Sequence, residues 1–289
     1  MRHRLGGGKS RRFAVFQIVA GEDTPNAPRA FADPRASPTG YARSLGSHGL
    51  AETVGTGGHV AYILGRMNAT LAPPVETDAV DRLRAIGREF HGRGWSLGTS
   101  SNYSVVTSRQ PLELLITVSG KDKSALGRDD FVRVDATGRP IDGSGKKSSA
   151  ETLLHCLLAE LIPSVGAVLH THSVWSTILS GANLAQGTLP IEGYEMLKGL
   201  TGITTHDTTA NVPIFANSQD MVSLAEEIRD RFANADWSDP ARPPCHGFLL
   251  AQHGLYTWGR DLDEARRHIE IHEFLFEVIA RSRMLATAT

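Results

Sequence analysis

Residues 166–173 read Gly-Ala-Val-Leu-His-Thr-His-Ser, and this stretch decides how the rest of the chain is interpreted. Small and apolar residues precede two histidines, which is the pattern of a short buried strand with a polar end. Because side chains two residues apart on a strand point to the same face, His170 and His172 should project together. Two such imidazoles can begin a zinc site. The alternative is two polar residues at a strand end that form only local hydrogen bonds.

A further histidine follows another apolar strand. His253 follows the apolar residues 248–251 by two positions, and Gly254 permits an unusual backbone angle or a close approach. Together with His170 and His172, it would complete three imidazoles and leave an open coordination position, as a catalytic metal requires. The remaining histidines are expected to have structural places: His155 and His268 at the core edge or surface, His206 in a polar loop and His272 facing the core. His246 lies close before His253 in the sequence and could compete with it as a ligand.

Two carboxylates are candidates for acid–base work. Residues 148–151 read Ser-Ser-Ala-Glu, the form of a capping box, so Glu151 either caps the following helix or lies near the histidines. Glu195 lies in the segment Glu-Gly-Tyr-Glu-Met-Leu-Lys-Gly, residues 192–199. It would lie either on a solvated helix end or in a cleft as a general base.

Loops rich in small hydroxyl and amide groups favour a phosphorylated ligand. They span residues 98–102, 119–121 and 146–149, the last of them before a helix. Backbone N–H groups in such loops and at helix N-termini bind anions. Because neither a dinucleotide-binding nor a Walker sequence is present, we expect a phosphorylated small substrate and no nucleotide.

Composition excludes several classes of protein. The chain has 289 residues, of which 40% are hydrophobic and 21% charged, so its composition is that of a globular protein and not of a disordered one. Its net charge of −1 makes nucleic-acid binding through a basic surface over the whole chain unexpected. No apolar run reaches the roughly 18–20 residues of a membrane span, so no membrane partner is expected. Cys156 and Cys245 cannot form a disulfide framework and fit a reducing, cytoplasmic setting.

The chain is expected to divide near residue 75. Residues 1–75 are rich in Gly, Pro, Ala and Ser, and residues 1–70 hold nine Lys or Arg against four Asp or Glu. This composition predicts a disordered N-terminal extension, with an export signal or a start codon assigned too early as alternatives. Residues 76–289 alternate short strands with four or five helices, which predicts one α/β domain with a mixed sheet covered by helices.

The element boundaries follow from periodicity and from start and stop residues. Thr77 or Asp78 is expected to cap the first helix, and Ser218 to cap a helix through Phe232. A helix is expected after His172, followed by a loop as far as Pro190 and a short helix over residues 192–198. Strands are predicted over residues 102–107, 112–118, 131–134, 166–171, 212–215, 248–251 and 255–257, and a long helix over 262–284.

Taken in order, these segments resemble the class II aldolase/adducin family of zinc-dependent sugar-phosphate enzymes, over about residues 76–285. The resemblance rests on residues 101–104, 118–120, 149–151 and 166–173, and on His253-Gly254. It implies a three-layer α/β/α fold around a mainly antiparallel sheet. It also implies one zinc ion per subunit, held by His170, His172 and His253, and a homotetramer with active sites at subunit interfaces.

Within this family the chain is most similar to members that dehydrate a sugar phosphate, on residues 192–199, 213–215, 253–259 and 273–277. That likeness implies Glu195 as the catalytic acid/base. Glu151 ranks second, because it matches the carboxylate that aldolases of the family use. The residues expected to hold the phosphate and the rest of the substrate are Ser101, Asn102, Ser119, Gly120 and Ser149.

Two departures and two alternatives accompany the resemblance. Ser101 stands where the aldolases usually have Gly, and the N-terminal extension has no counterpart in the family.

Two alternative functions remain open. Aldol cleavage or 4-epimerisation of a sugar phosphate would use the same scaffold. A non-enzymatic interaction module, as in the adducin head domain, would be expected to lack the three histidines.

Overall fold

An eight-stranded sheet organises residues 74–286, the part of the chain that the computed structural model describes. The predicted N-terminal extension lies outside these residues, except for Pro74 and Val75. The strands are β1 Asn102–Arg109, β2 Leu112–Thr117, β3 Phe131–Asp135, β4 Ala167–Thr171, β5 Thr188–Glu192, β6 Thr209–Phe215, β7 Gly247–Leu250 and β8 Gly254–Gly259. The helices are α1 Pro74–Gly92, α2 Thr152–Leu161, α3 Val174–Ala182, α4 Met221–Phe232 and α5 Leu262–Ala286, with short 3₁₀ helices at Leu184–Gln186 and Glu195–Gly199.

The sheet has the order β3-β2-β1-β4-β8-β7-β6-β5. All neighbouring pairs are antiparallel except β6 and β7, which are parallel. The expected mainly antiparallel sheet is therefore confirmed. Strand β4 lies in the middle, where His170 is paired with Asn102 of β1 and with Tyr256 of β8.

Two layers of helices cover the two faces of this sheet. Successive residues of β4 point to opposite faces, so Leu169 packs in one core cluster with α1 and α5, and Val168 packs in another with α2 and α4. A third, smaller cluster lies where Cys156 and Ala159 of α2 meet β2 and β3. This arrangement confirms the three-layer α/β/α fold.

Three local predictions are wrong. Helix α1 begins at Pro74, a residue type that is favoured at the first helical position, so Thr77 and Asp78 lie within the helix and do not cap it. Strand β5 begins before Pro190, inside the stretch predicted as a loop, because Leu189 and Ile191 point into the core while Pro190 and Glu192 are exposed. Proline is tolerated in a strand of this kind at the edge of a sheet. The N-cap of α4 is Asp220 instead of Ser218, since the Asp220 carboxylate accepts hydrogen bonds from the backbone N–H groups of the next turn.

A buried polar network attaches the segment after the second 3₁₀ helix to α5. Thr201 donates from Oγ1 to Glu264 over 2.5 Å, and its carbonyl accepts a 2.7 Å hydrogen bond from His246 Nε2. His268 is buried, although it was expected at the core edge or surface, and its Nε2 accepts from the Thr201 N–H. A Cβ at position 199 would lie 2.3 Å from Ile271 Cδ1, so a larger residue there would require the Ile271 side chain to move.

The core contribution of α5 can be measured with two identical substitutions on that helix. Leu275 is fully buried, whereas Leu285 is 72% exposed. We expect Leu275→Ala to lower the free energy of unfolding by about 3 kcal/mol, because it leaves a cavity under the sheet. Leu285→Ala should change it by less than about 0.5 kcal/mol. Equal effects of the two variants in urea unfolding would contradict the packing described above.

The Glu264 network should make stability depend on acidic pH. Burial alone would raise the pKa of Glu264, but hydrogen bonds from Arg260 and Thr201 and the charge of His268 lower it to about 2. Its contribution to stability is therefore complete above the unfolded pKa of about 4.5 and is lost as the pH falls toward 2. Glu264→Gln should flatten this acid-side loss of unfolding free energy in urea titrations at a series of pH values. The exposed Glu226→Gln is the control, and a Glu264→Gln profile parallel to wild type would refute the expectation.

Candidate active site

Three imidazoles and one carboxylate converge at the end of β4. His172 Nε2 lies 2.7 Å from His170 Nε2 and 3.1 Å from His253 Nε2. One ligand atom from each of these histidines and one from Glu151 all lie within 4.8 Å of one another. The structure thus brings together the three predicted metal ligands and one of the two predicted catalytic carboxylates.

The local chain path explains why the third histidine arrives there. Strand β8 runs antiparallel to β4, and the pairing of Leu255 with Thr171 places the start of β8 beside the end of β4. Gly254 makes this approach possible, because a Cβ there would lie 2.1 Å from the Thr171 carbonyl oxygen. His253, directly before it, therefore reaches the two histidines of β4.

The hydrogen bonds at Nδ1 of two of the imidazoles leave their Nε2 lone pairs directed into the cluster. We assign a proton to Nδ1 of His170, which donates to the Leu255 carbonyl over 2.9 Å, and to Nδ1 of His253, which donates to Asn217 Oδ1 over 3.2 Å. Burial and the neighbouring imidazoles lower the pKa of His170, and burial lowers that of His172 to about 4, so both are neutral at pH 7. Facing lone pairs repel unless a cation lies between them, so this donor set fits a divalent metal such as zinc.

Glu151 completes the cluster and does not form the alternative capping box. Its Oε1 lies 3.1 Å from His253 Nε2, and its Oε2 lies 3.8 Å from His170 Nε2. Burial raises the pKa of Glu151. The contact with His253, the positive charge that His170 and His253 carry when they are protonated, and the hydrogen bond from Asn102 outweigh burial, so its pKa lies well below its ordinary value. Glu151 is the N-cap residue of α2 but makes no side-chain cap, and Ser148 donates to the Gly138 carbonyl instead.

A chain of three further side chains orients Glu151. Asn102 Nδ2 donates to Glu151 Oε2 over 2.6 Å, His155 Nε2 donates to Asn102 Oδ1, and Ser104 Oγ donates to His155 Nδ1 over 2.8 Å. His155 is fully buried, so its expected place at the core edge or surface is wrong. Burial lowers the pKa of His155 to about 3, which keeps it neutral. Sequence reasoning missed this role, although the four-residue spacing of Glu151 and His155 at a helix start was a usable signal.

A polar cavity of about 100 Å³ lies beside the cluster. Glu151 and His172 form part of its wall, and loop residues 99–102 and 117–120 form most of the rest. All five residues predicted to hold substrate border this cavity: Ser101, Asn102, Ser119, Gly120 and Ser149. The Asn102 side chain itself is turned toward Glu151 and His155, which leaves hydroxyl and backbone N–H groups as the donors for an anion.

A buried lysine near this cavity escaped the sequence reasoning. Lys123 is 1% exposed, and its Nζ donates to the Lys121 carbonyl over 2.7 Å. Burial lowers the pKa of Lys123 to about 8, against the opposing charges of Asp122, Glu151 and Asp130. The sequence Lys-Asp-Lys resembles a solvated turn, so nothing local marks this side chain as buried.

Glu195 lies apart from the cluster within a single chain. It is on the 3₁₀ helix Glu195–Gly199, where its side chain is 71% exposed. It pairs with Lys198 over 2.5 Å and lies 3.5 Å from His206 Nδ1. The Lys198 hydrogen bond lowers the pKa of Glu195, so this carboxylate is ionised at neutral pH.

Relatives with curated names resemble most of the described chain. A methylthioribulose-1-phosphate dehydratase of Pseudomonas fluorescens (strain Pf0-1) is 47% identical over 197 residues, which cover 68% of this chain and 89% of the relative. A methylthioribulose-1-phosphate dehydratase of Marinobacter nauticus is 49% identical over 191 residues, covering 66% of this chain and 87% of the relative.

Solved structures share the fold. YgbL of Escherichia coli is 27% identical with a TM-score of 0.57, covering 71% of this chain and 89% of its own. An L-fuculose-1-phosphate aldolase from Thermus thermophilus is 21% identical with a TM-score of 0.57, covering 74% of this chain and all of its own, and this likeness concerns the fold alone.

Among residues 74–286, no helix combines the length and the apolar character that crossing a membrane requires.

The family assignment rests on a match across most of the folded chain. The family profile described as "Class II Aldolase and Adducin N-terminal domain" matches residues 81–280, which include all four residues of the cluster. The chain therefore belongs to the class II aldolase and adducin family.

Proposed function

We propose that this protein is a zinc-dependent dehydratase that converts 5-methylthioribulose 1-phosphate to 2,3-diketo-5-methylthiopentyl 1-phosphate in methionine salvage. The observation that carries the proposal is the convergence of three imidazoles and Glu151 beside a cavity of anion-binding donors. The named dehydratases of Pseudomonas and Marinobacter support the choice of substrate. Residues 76–289 form the catalytic domain in this proposal, and the two free, buried cysteines fit a cytoplasmic setting.

The metal would be held by His170, His172 and His253. A bound zinc ion supplies Lewis-acid polarisation of the substrate C2 carbonyl, which makes the C3 proton more acidic. The hydrogen bonds to Leu255 and Asn217 keep two of the imidazoles in the orientation that metal binding requires.

The cavity beside the cluster would hold the C1 phosphate. Hydroxyl groups of Ser101 and Ser149 and the backbone of Ser119 and Gly120 offer neutral donors. The buried Lys123, which interacts electrostatically with the lining residues Glu151 and His172, adds a positive charge. A phosphate fixed there restricts where C2 and C3 can lie and directs them toward Glu151 and His172. This restriction is the positioning contribution to catalysis.

Glu195 would act as the base and Glu151 as the second acid–base group. Glu195 takes the C3 proton, the C4–O bond breaks, and the departing hydroxyl takes a proton from the protonated Glu195 or from Glu151 to leave as water. The resulting enol then ketonises to the diketone. Because Glu195 is exposed and apart from the cluster of its own chain, we place it at the site of a neighbouring subunit in a homotetramer.

Aldol cleavage or 4-epimerisation of a sugar phosphate is the second candidate. The observation that favours it is Glu151, which lies within the metal cluster, where it could act as acid or base without a contribution from another subunit. A non-enzymatic interaction module is disfavoured, since the three histidines are present and converge.

Loss of water from the proposed substrate tests the function directly. Purified protein loaded with zinc is incubated with methylthioribulose 1-phosphate and followed by mass spectrometry, beside a sample stripped with EDTA. We expect metal-dependent loss of one water molecule. An intact substrate with zinc-loaded protein, together with cleavage or epimerisation of fuculose, rhamnulose or ribulose phosphates, would assign the second candidate.

Two histidine variants serve as controls in the same assay. His172→Ala removes a proposed ligand and should lose both zinc and turnover. His246→Ala removes a buried imidazole that binds the Thr201 carbonyl instead, so this variant should retain its zinc. The metal-to-chain ratio from elemental analysis distinguishes them, and loss of zinc from both would argue against the proposed ligand set.

Carboxamide variants divide the acid–base roles. Glu195→Gln should lower kcat by about 10²–10⁴-fold, the usual contribution of a general base, and leave zinc binding intact. The control is Glu192→Gln, which replaces an exposed carboxylate three residues away. Near wild-type turnover in Glu195→Gln together with an inactive Glu151→Gln would reverse the assignment.

A further inference from the structure

Helix α5 contacts Thr171, the last residue of β4, which lies between the proposed metal ligands His170 and His172. His170 points to the α2 side of the sheet, where its ring stacks on Tyr256 at 3.9 Å between centroids. Thr171 points to the opposite side, and its Oγ1 donates to Glu273 Oε1 of α5 over 3.1 Å. Thr171 and Glu273 are both buried, so no solvent competes with this hydrogen bond.

The surroundings of Glu273 satisfy only part of the hydrogen-bonding capacity of its carboxyl group. Its Oε2 has no hydrogen-bond partner within residues 74–286, although the residue is only 2% exposed. Burial raises the pKa of Glu273 to about 7, and the hydroxyls of Ser173 and Thr171 lower it less. A buried carboxyl that is poorly paired is a weak source of stability compared with an apolar side chain of similar size. The specific contribution of Glu273 is therefore its contact with the hydroxyls of Thr171 and Ser173, the two residues on either side of His172.

The end of β4 needs such a contact because the sheet no longer holds it. The ladder between β4 and β8 ends with the pair Thr171 and Leu255, so His172 lies beyond the last paired residue. The His172 N–H donates to the Trp95 carbonyl over 2.8 Å, which holds one side of the segment. Glu273 holds the segment from the other side through Thr171.

We propose that Glu273 is a positioning residue for the metal centre, which acts by fixing Thr171 and hence the spacing of the His170 and His172 imidazoles. This inference rests on the proposed metal site. It assigns no contact between Glu273 and the metal or the substrate. Residues that orient metal ligands in this way typically change metal affinity about 10–100-fold when they are replaced.

Three variants and one matched control test the proposal. Glu273→Ala and Thr171→Val each remove the hydrogen bond, whereas Glu273→Gln keeps an oxygen that can accept it. The control is Glu264→Gln, another buried carboxylate of α5, which binds Thr201 and does not touch β4. The readouts are the zinc dissociation constant by chelator competition and the visible spectrum of the cobalt-substituted protein, which reports ligand geometry independently of turnover.

We expect Glu273→Ala and Thr171→Val to weaken zinc binding about 10–100-fold and to alter the cobalt spectrum. Glu273→Gln and Glu264→Gln should stay close to wild type in both readouts. Folded Thr171→Val and Glu273→Ala proteins with wild-type affinity and an unchanged spectrum would overturn the proposal. If Glu273→Ala does not fold, Thr171→Val decides, because it leaves the carboxyl in place and nearly preserves the shape.

Failure of the proposed function gives a different result. If the wild-type protein binds zinc, the variants behave as expected and methylthioribulose 1-phosphate stays unchanged, the proposed role of Glu273 is supported and the dehydratase function is rejected. A wild-type protein that binds no divalent metal would reject both.

Discussion

The antiparallel pairing of β4 with β8 is the constraint on which the site depends. Five residue pairs align these strands, from Ala167 with Gly259 to Thr171 with Leu255. The register places the two histidines of β4 beside the point where His253 enters β8. A shift of one residue would turn the imidazoles of β4 toward the α5 layer and separate them from Glu151. Gly254 belongs to this constraint, since any larger residue would meet the Thr171 carbonyl.

The buried cluster holds together because its charges and lone pairs are complementary to a cation. Burial keeps His170 and His172 neutral, while Glu151 stays ionised through its contacts with His253 and Asn102. The Leu255 carbonyl and Asn217 Oδ1 fix which nitrogen of His170 and His253 carries the proton, and Asn102 fixes where the carboxylate lies. Three facing imidazoles and one carboxylate would repel or remain unsatisfied as an isolated group, and a divalent cation removes that conflict.

Helix α5 connects the parts of the proposed machinery that the sheet does not hold. Glu273 contacts the end of β4, and Glu264 and His268 contact Thr201, just after the 3₁₀ helix that carries Glu195. Glu195 is therefore exposed but lies beside an anchored segment. A carboxylate presented on a fixed surface is suited to a site completed between subunits, because its position does not depend on a flexible loop.

Short-range patterns in the sequence determined which residues could form the metal site. Strand alternation placed His170 and His172 on one face, and an apolar run with Gly254 marked His253. The same patterns could not decide between a capping box and a site residue for Glu151, or reveal the burial of His155 and Lys123. Those outcomes depend on Asn102, 49 residues from Glu151, and on strands paired across the sheet. The sequence thus determined the ligand types and their local spacing, whereas only the tertiary structure decided their common location, because burial and hydrogen-bond partners come from residues distant in the chain.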